Sequence, residues 1–298
     1  MSLNINSNIN KFKIALCQLK VVDNKFSNLK NVEKFINNSI QKGNPDIIVL
    51  PEFFNCPMGL SYVIKYSEEE HNSESLNLIS SLAKKNQKYI VAGSIPIKDT
   101  NPIKKSYYNS SFIFDRKGEI IARHNKIHLF DIDIPGKMTF KESSLLSAGN
   151  NYTYFETEFC KIGIGICYDI RFPEYCQILK KEKNIDLMIY PAAFSTTTGP
   201  MHWELLARSR ALDNNIHLAI CSPARNTENP NIYQCYGFSS IYDPFAKCLA
   251  TTSYEEDIVF AEIDLQLNRD IESQIPTLKQ KRNDLYELKL NLSEKAKF

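Results

Sequence analysis

Apolar residues recur along this chain with two periods that alternate. Residues 12–17 read as a strand. Residues 26–41 place Phe26, Leu29, Val32, Ile36 and Ile40 on one face, which predicts an amphipathic helix. Gly43-Asn44-Pro45 ends it, and residues 46–50 form a short continuous apolar run of the kind found in a strand buried on both faces. The cycle then repeats. Residues 73–85 are helical by Leu76, Ile79, Leu82 and Ala83, and 89–95 read as a strand. Residues 110–115 and 119–126 form a hairpin around Lys117-Gly118. Residues 161–166 read as a strand, and 173–183 as a helix with proline at its first turn. Strands at 186–190, 217–222, 237–242 and 258–263 and a helix at 202–214 follow, with a polar helical tail after Asp264.

Strand-helix-strand order in the first half predicts an α/β protein, and the later run of strands predicts a mixed sheet. The chain has 298 residues, no internal repeat and no Gly/Pro linker. It therefore reads as one domain over 12–298 behind an Asn- and Ser-rich leader, 1–11, expected to be disordered.

Charge narrows the partners. The formal net charge is +2 and no Lys/Arg block stands out, so neither nucleic acid nor a membrane surface is expected as a partner. No apolar run approaches the roughly 20 residues of a membrane span. The leader has neither a secretory apolar stretch nor an arginine, so the cytoplasm is the expected compartment; a mitochondrial pool stays open without a clear transit peptide. Eight cysteines form no C-x-x-C pair and no zinc-spaced set with histidine. They read as reduced, mostly buried small hydrophobes, with no metal site and no disulfide framework.

Three segments share a layout in which an apolar strand runs into a reactive side chain and then a turn former. In Ile47-Ile48-Val49-Leu50-Pro51-Glu52-Phe53-Phe54, Glu52 is flanked by apolar residues. Desolvation would raise its pKa and make it a usable general base; alternatively it is a strand-end glutamate bonded to a loop. In Arg123-His124-Asn125-Lys126-Ile127-His128-Leu129, Lys126 ends a strand and is either an oxyanion donor or a surface lysine. His124 and His128 are rival bases or satisfied structural histidines. In Lys161-Ile162-Gly163-Ile164-Gly165-Ile166-Cys167-Tyr168-Asp169, two glycines allow close backbone approach before Cys167. Cys167 sits on a turn ahead of the helix opened by Pro173, the layout of a nucleophile elbow; the bland alternative is one more buried cysteine.

Taken in order, these segments resemble the nitrilase superfamily. That family's pattern is a glutamate after a strand and proline, a lysine in a Lys/His turn, and a cysteine in Gly-x-x-x-Cys-Tyr-Asp-x-Arg-Phe-Pro-Glu. Here these are Leu50-Pro51-Glu52, Asn125-Lys126-Ile127-His128-Leu129 and Gly163 through Glu174. Four further stretches resemble its omega-amidase branch: Phe130-Asp131-Ile132-Asp133-Ile134-Pro135-Gly136-Lys137, Thr196-Thr197-Thr198-Gly199-Pro200-Met201-His202-Trp203-Glu204-Leu205-Leu206, Ser222-Pro223-Ala224-Arg225, and Gln274-Ile275-Pro276 with Lys281-Arg282-Asn283-Asp284-Leu285-Tyr286.

The resemblance implies a four-layer α-β-β-α sandwich of two mixed β-sheets with outer helices, and a homodimer or larger assembly through a helical face. It implies hydrolysis of the terminal amide of dicarboxylate monoamides such as 2-oxoglutaramate and 2-oxosuccinamate, with no cofactor. Glu52 would be the base, Cys167 the nucleophile forming a thioester, and Lys126 with the Tyr168 backbone N–H the oxyanion donors. Glu142 would sit by Glu52 and orient it or the lysine. Arg171 is the candidate for the substrate's distal carboxylate, with Thr197, after Phe194, adding a hydroxyl; a structural pair of Arg171 with Asp169 or Glu174 is the alternative. Rival readings are a deaminated-glutathione amidase or carbamoyl-amide hydrolase of the same superfamily, a catalytically silent scaffold, and a Cys-His hydrolase.

Overall fold

The computed structural model of the chain describes residues 10–99, 106–136 and 138–290. The first sheet is built from β1 (Lys11–Gln18), β2 (Ile47–Val49), β3 (Tyr89–Val91), β4 (Ile95–Lys98), β5 (Tyr107–Phe114) and β6 (Ile120–Asn125), and is completed by the last strand of the chain. Helices α1 (Lys25–Gly43), α2 (Leu60–Tyr66) and α3 (Glu74–Asn86) lie between its strands in sequence. A small ribbon follows, β7 (Asp131–Ile134) with β8 (Met138–Lys141), and then a 3₁₀ turn, Glu142–Ser144. The second sheet runs through β9 (Thr153–Glu156), β10 (Lys161–Ile164), β11 (Leu187–Pro191), β12 (His217–Cys221), β13 (Ser240–Tyr242) and β14 (Cys248–Thr251). Its crossovers carry a 3₁₀ turn at Cys167–Arg171, α4 (Pro173–Lys183) and α5 (Gly199–Asn214). The chain returns to the first sheet as β15 (Asp257–Asp264), followed by α6 (Leu265–Gln274).

Among the described residues the strands form a seven-stranded sheet, a six-stranded sheet and the two-stranded ribbon. Each large sheet has three parallel strands at its heart, β1-β2-β3 in one and β10-β11-β12 in the other, with antiparallel strands outside them. The period of two along these strands sorts side chains into layers. Ile14, Leu16, Ile47, Val49, Ile162, Ile164, Leu187 and Ile189 meet between the sheets. The alternate residues Ile48, Leu50 and Ile90 pack under α1 and α3 with Val32, Ile36 and Ile79. Met188, Tyr190, Leu218 and Ile220 pack under α4 and α5 with Leu179, Trp203 and Ala207. Both faces of both sheets are therefore covered, which gives the four-layer α-β-β-α sandwich.

Boundaries differ from the sequence reading where backbone geometry intervenes. The run 89–95 breaks into two strands because Gly93 turns the chain at φ 44°, where a Cβ would lie 2.0 Å from the Pro51 carbonyl oxygen. The polar tail is helical only to Gln274, and turns follow. Short elements with little periodicity went unpredicted: α2, β7, β8, β9 and β14. Residues 1–9 of the expected leader lie outside the described residues. Its last two residues are held: Lys11 opens β1, and the Asn10 carbonyl accepts from Leu265 N at 2.8 Å. The leader reading is corrected there, because pairing with β15 supplies partners that local sequence does not show.

Candidate active site

Glu52 and Cys167 lie just past the carboxyl ends of parallel strands, one in each sheet, as α/β architecture favours for sites. Glu52 lies three residues beyond β2. Its turn is tied down by Ser94, whose Oγ accepts from Phe53 N at 3.1 Å while its own N–H donates to the Pro51 carbonyl at 3.2 Å. Phe53 takes φ 49°, a left-handed conformation that a bulky residue adopts only where its surroundings enforce it. Cys167 lies three residues beyond β10. The close approach expected of the two glycines is present: a Cβ on Gly165 would lie 2.5 Å from the Tyr190 ring, and one on Gly163 2.6 Å from Met188 Sδ. Cys167 itself has φ 44° and opens the 3₁₀ turn. That strained corner ahead of a helix is the expected elbow.

Lys126 follows β6 and reaches into the space between these two corners. It is buried, and its Nζ donates to Glu52 Oε1 at 3.2 Å and to Glu142 at 3.0 Å. Glu142 is buried too, on the 3₁₀ turn after β8, where its Oε2 accepts from Phe130 N at 2.7 Å. Glu52 Oε1 also accepts from Asn109 Nδ2 at 2.8 Å, while Oε2 is buried with no hydrogen-bond partner among the described residues. The Ala193 N–H, just past β11, donates to Cys167 Sγ at 3.4 Å.

One cation thus sits between two carboxylates, beside a buried thiol. Burial pushes the Glu52 carboxyl above its ordinary range; Lys126 pulls it back and Glu142 pushes it up again. Burial likewise raises the Cys167 thiol, and the Glu52 charge raises it further. Burial alone would lower the Lys126 pKa, but the two carboxylates outweigh it and hold the ammonium charged. The resting arrangement is a neutral thiol against a carboxylate whose proton affinity is enhanced. A general base suited to taking the thiol proton needs that combination. The N–H of Tyr168 precedes the first bond of the 3₁₀ turn, which Asp169 N makes to the Ile166 carbonyl at 3.0 Å. Tyr168 and Lys126 both line the cleft beside Cys167.

A cleft of about 450 Å³, counting space open to solvent, opens onto Cys167, Lys126 and Glu142, while fully buried Glu52 is not among its lining residues. Cys167, Lys126, Glu142, Tyr168, Arg171 and Phe194 all line it. Thr197 does not. Ser195 Oγ accepts from both Thr197 N and Thr198 N at 3.3 Å, and the resulting tight turn leaves Thr197 exposed and puts Thr198 on the cleft wall. Thr198, not Thr197, meets the cleft, and its hydroxyl lies 3.3 Å from Ser195 Oγ. Arg171 does not pair with Asp169 or Glu174. Its Nη1 lies 3.2 Å from His202 Nδ1, and the guanidinium is sandwiched over the rings of Phe194 at 4.8 Å and Tyr168 at 5.7 Å. No carboxylate neutralises it among the described residues.

Sequence reasoning missed why the elbow holds its shape. Buried Asp169, two residues past the thiol, accepts four hydrogen bonds. Its Oδ2 takes Ile166 N at 2.9 Å and meets His124 Nε2 at 3.1 Å; its Oδ1 takes His128 N at 2.9 Å and meets His128 Nδ1 at 2.8 Å. Burial opposes ionisation here, but these bonds outweigh it and hold the carboxyl well below the ordinary range. Both histidines are committed to this clamp, and neither lines the cleft. Asn109 on Glu52 and Tyr233, whose hydroxyl donates to the Ala193 carbonyl at 2.9 Å, were also missed. Nothing local marks an asparagine inside a strand or a tyrosine in a long loop.

The eight cysteines are all unpaired, and only Cys248 is exposed. No group of three or more metal-ligating side chains is found among the described residues. No described helix is long and apolar enough to cross a membrane.

The site brings a buried thiol, a lysine and two carboxylates together on an α-β-β-α sandwich. The chain belongs to the carbon-nitrogen hydrolase family, whose model matches residues 13–272. Omega-amidase NIT2-A of Xenopus laevis is 45% identical over 285 residues, covering 96% of this chain and 99% of that protein. Omega-amidase NIT2 of Homo sapiens is 42% identical over 279 residues, covering 94% and 98%. The crystal structure of Saccharomyces cerevisiae Nit3, a member of branch 10 of the nitrilase superfamily, matches with a TM-score of 0.82 at 39% identity. That match covers 92% of this chain and 97% of Nit3.

Proposed function

We infer that this protein is an omega-amidase, a hydrolase of linear amide C–N bonds that releases ammonia from the terminal amide of a dicarboxylate monoamide. Relatives of that name, 42–45% identical along almost the whole chain, support the activity. The observation that carries the substrate class is Arg171, a guanidinium on the wall of the Cys167 cleft with no carboxylate of its own. A substrate's distal carboxylate is its natural partner, since guanidinium and carboxylate match in charge and geometry. 2-Oxoglutaramate and 2-oxosuccinamate carry such a group.

In the proposed reaction Glu52 takes the thiol proton as Cys167 Sγ attacks the amide carbon. The tetrahedral oxyanion is met by Lys126 Nζ and Tyr168 N–H. Ammonia leaves with the proton from Glu52, and a thioester remains. Glu52 then deprotonates water, the water oxygen attacks the thioester carbon, and the acid and thiol are regenerated. Lys126 stays charged between Glu52 and Glu142 throughout, and Glu142 holds it in place. The cytoplasm is the proposed compartment.

Ammonia release across 2-oxoglutaramate, 2-oxosuccinamate, deaminated glutathione, glutamine and a neutral aliphatic amide tests the reading. The dicarboxylate monoamides are expected to lead, and Arg171→Ala to lower their kcat/KM by roughly 10–100-fold with little effect on the neutral amide. Equal losses on both would remove Arg171 from specificity. A homodimer through α5, where Met201, Leu205 and Leu212 are exposed, is the proposed assembly. Light scattering reads it directly, and a monomer at micromolar concentration would refute it.

A further inference from the structure

A second pocket, of about 850 Å³ counting space open to solvent, lies where the C-terminal ends of α4 and α5 meet the segment after α6. It shares no lining residue with the cleft at Cys167. Its wall is dominated by hydrogen-bond donors: Lys180, Lys181, Lys279 and Lys281 line it, and Glu272 is the one carboxylate among its described lining residues. Lys180 is buried and bonded to Glu272 at 2.8 Å. Lys181 donates to the Leu288 carbonyl at 2.8 Å and lies 3.7 Å from exposed Glu182 and Glu287, distances at which surface pairs contribute little. Lys279 and Lys281 have no ion-pair partner among the described residues.

Asn215 supplies an independent sign. It caps α5 in the left-handed conformation, φ 55°, is 1% exposed and lines this pocket. Its Nδ2 is buried and has no acceptor among the described residues. A buried donor without an acceptor is costly, at about 1–3 kcal/mol, so native proteins rarely keep one without a use. The orphan is a donor, matching the sign of the lysines around it. Helix-dipole compensation accounts for part of the positive charge, because the two helix ends carry about one negative charge between them. With Glu272 against Lys180, and Glu182 and Glu287 against Lys181, the pocket's lysines without a carboxylate among the described residues are Lys279 and Lys281.

We propose that this pocket is a binding site for a small multiply charged oxyanion, of the phosphate or dicarboxylate type, held by Lys279, Lys281, Lys180 and the Asn215 amide. The site is separate from the amide-hydrolysing cleft. Phosphate and dicarboxylate share the needed chemistry, a compact dianion with several acceptor oxygens.

Calorimetric titration of the full chain with inorganic phosphate, with succinate and with chloride at matched ionic strength tests this. Saturable one-to-one binding of phosphate or succinate, absent with chloride, is expected, and whichever binds more tightly identifies the source. The double variant K279E/K281E should weaken that binding at least about tenfold, with amide hydrolysis unchanged in anion-free buffer. Asn215→Gly keeps the left-handed backbone and removes the donor; it should weaken binding severalfold. Heat that tracks ionic strength equally for all three anions, or equal affinity in wild type and K279E/K281E, would overturn the proposal.

Discussion

Two buried carboxylates flank the same thiol, and their ionisation is pushed in opposite directions. Glu52 is raised and Asp169 is lowered, although both are fully buried. Burial opposes charge on each, so burial cannot be what separates them. The donors and the neighbouring charges decide, Glu142 pushing Glu52 up while the imidazoles and backbone N–H groups hold Asp169 down. Asp169 accepts from two backbone N–H groups and meets two imidazoles. Glu52 shares one lysine with Glu142, takes one asparagine N–H and faces the Cys167 thiol, and its Oε2 has no N or O donor among the described residues. A saturated carboxylate is a structural anchor, and an unsaturated one is a base.

The largest test separates the two directly. Cys167→Ala should abolish ammonia release while leaving the thermal midpoint nearly unchanged, because the Asp169 clamp, not the thiol, shapes the elbow. Residual turnover at the wild-type rate would end the nucleophile assignment. Lys126→Ala comes next. Removing the proposed oxyanion donor, which also bonds both Glu52 and Glu142, should cost about 10²–10³-fold in kcat, read from steady-state ammonia release.

Asp169→Asn attacks the other carboxylate. It strips a saturated anion of its charge and should destabilise the fold by roughly 3 kcal/mol. Asp169 has a depressed folded pKa, so its stabilisation is full above the unfolded value of about 3.9 and is lost as pH falls through the folded one. The gap between variant and wild type in denaturant midpoint should therefore be widest near neutrality and close in acid. A gap independent of pH would mean that shape, not charge, is what Asp169 provides. His128→Gln, which keeps a donor, should cost only a fraction of activity; loss as complete as in Cys167→Ala would restore a histidine as base.

The smallest effect is the most discriminating. Glu52 has a raised folded pKa, so its charge works against folding as pH climbs from the ordinary carboxylate range through the folded value. Glu52→Gln should be nearly inactive yet more stable than wild type at pH 8, by about 1 kcal/mol or roughly 2–4 °C in Tm, and that gain should shrink toward pH 4. A destabilised variant at pH 8 would show that the carboxylate contributes more through Lys126 than it costs by burial.

Much of this protein was legible from its residues alone. The continuous apolar run at 46–50 marked a strand buried on both faces, because a strand covered on both sides has no polar face to alternate with. Glu52, Lys126 and Cys167 were marked by apolar runs that end in a polar residue and a turn, which is a local pattern. Their partners were not marked. Asn109 reaches Glu52 across 57 positions, and His124 reaches Asp169 across 45. Nor could local sequence place Thr198 rather than Thr197 on the cleft wall, since two backbone bonds to Ser195 decide which way each hydroxyl faces. The sequence by itself determined the strands, the outer helices and the identity of the reactive groups, because those depend on neighbours within one element. Only the tertiary structure decided that the Glu52 carboxyl is raised and the Asp169 carboxyl lowered, because that depends on the donors and charges that distant elements bring to each oxygen.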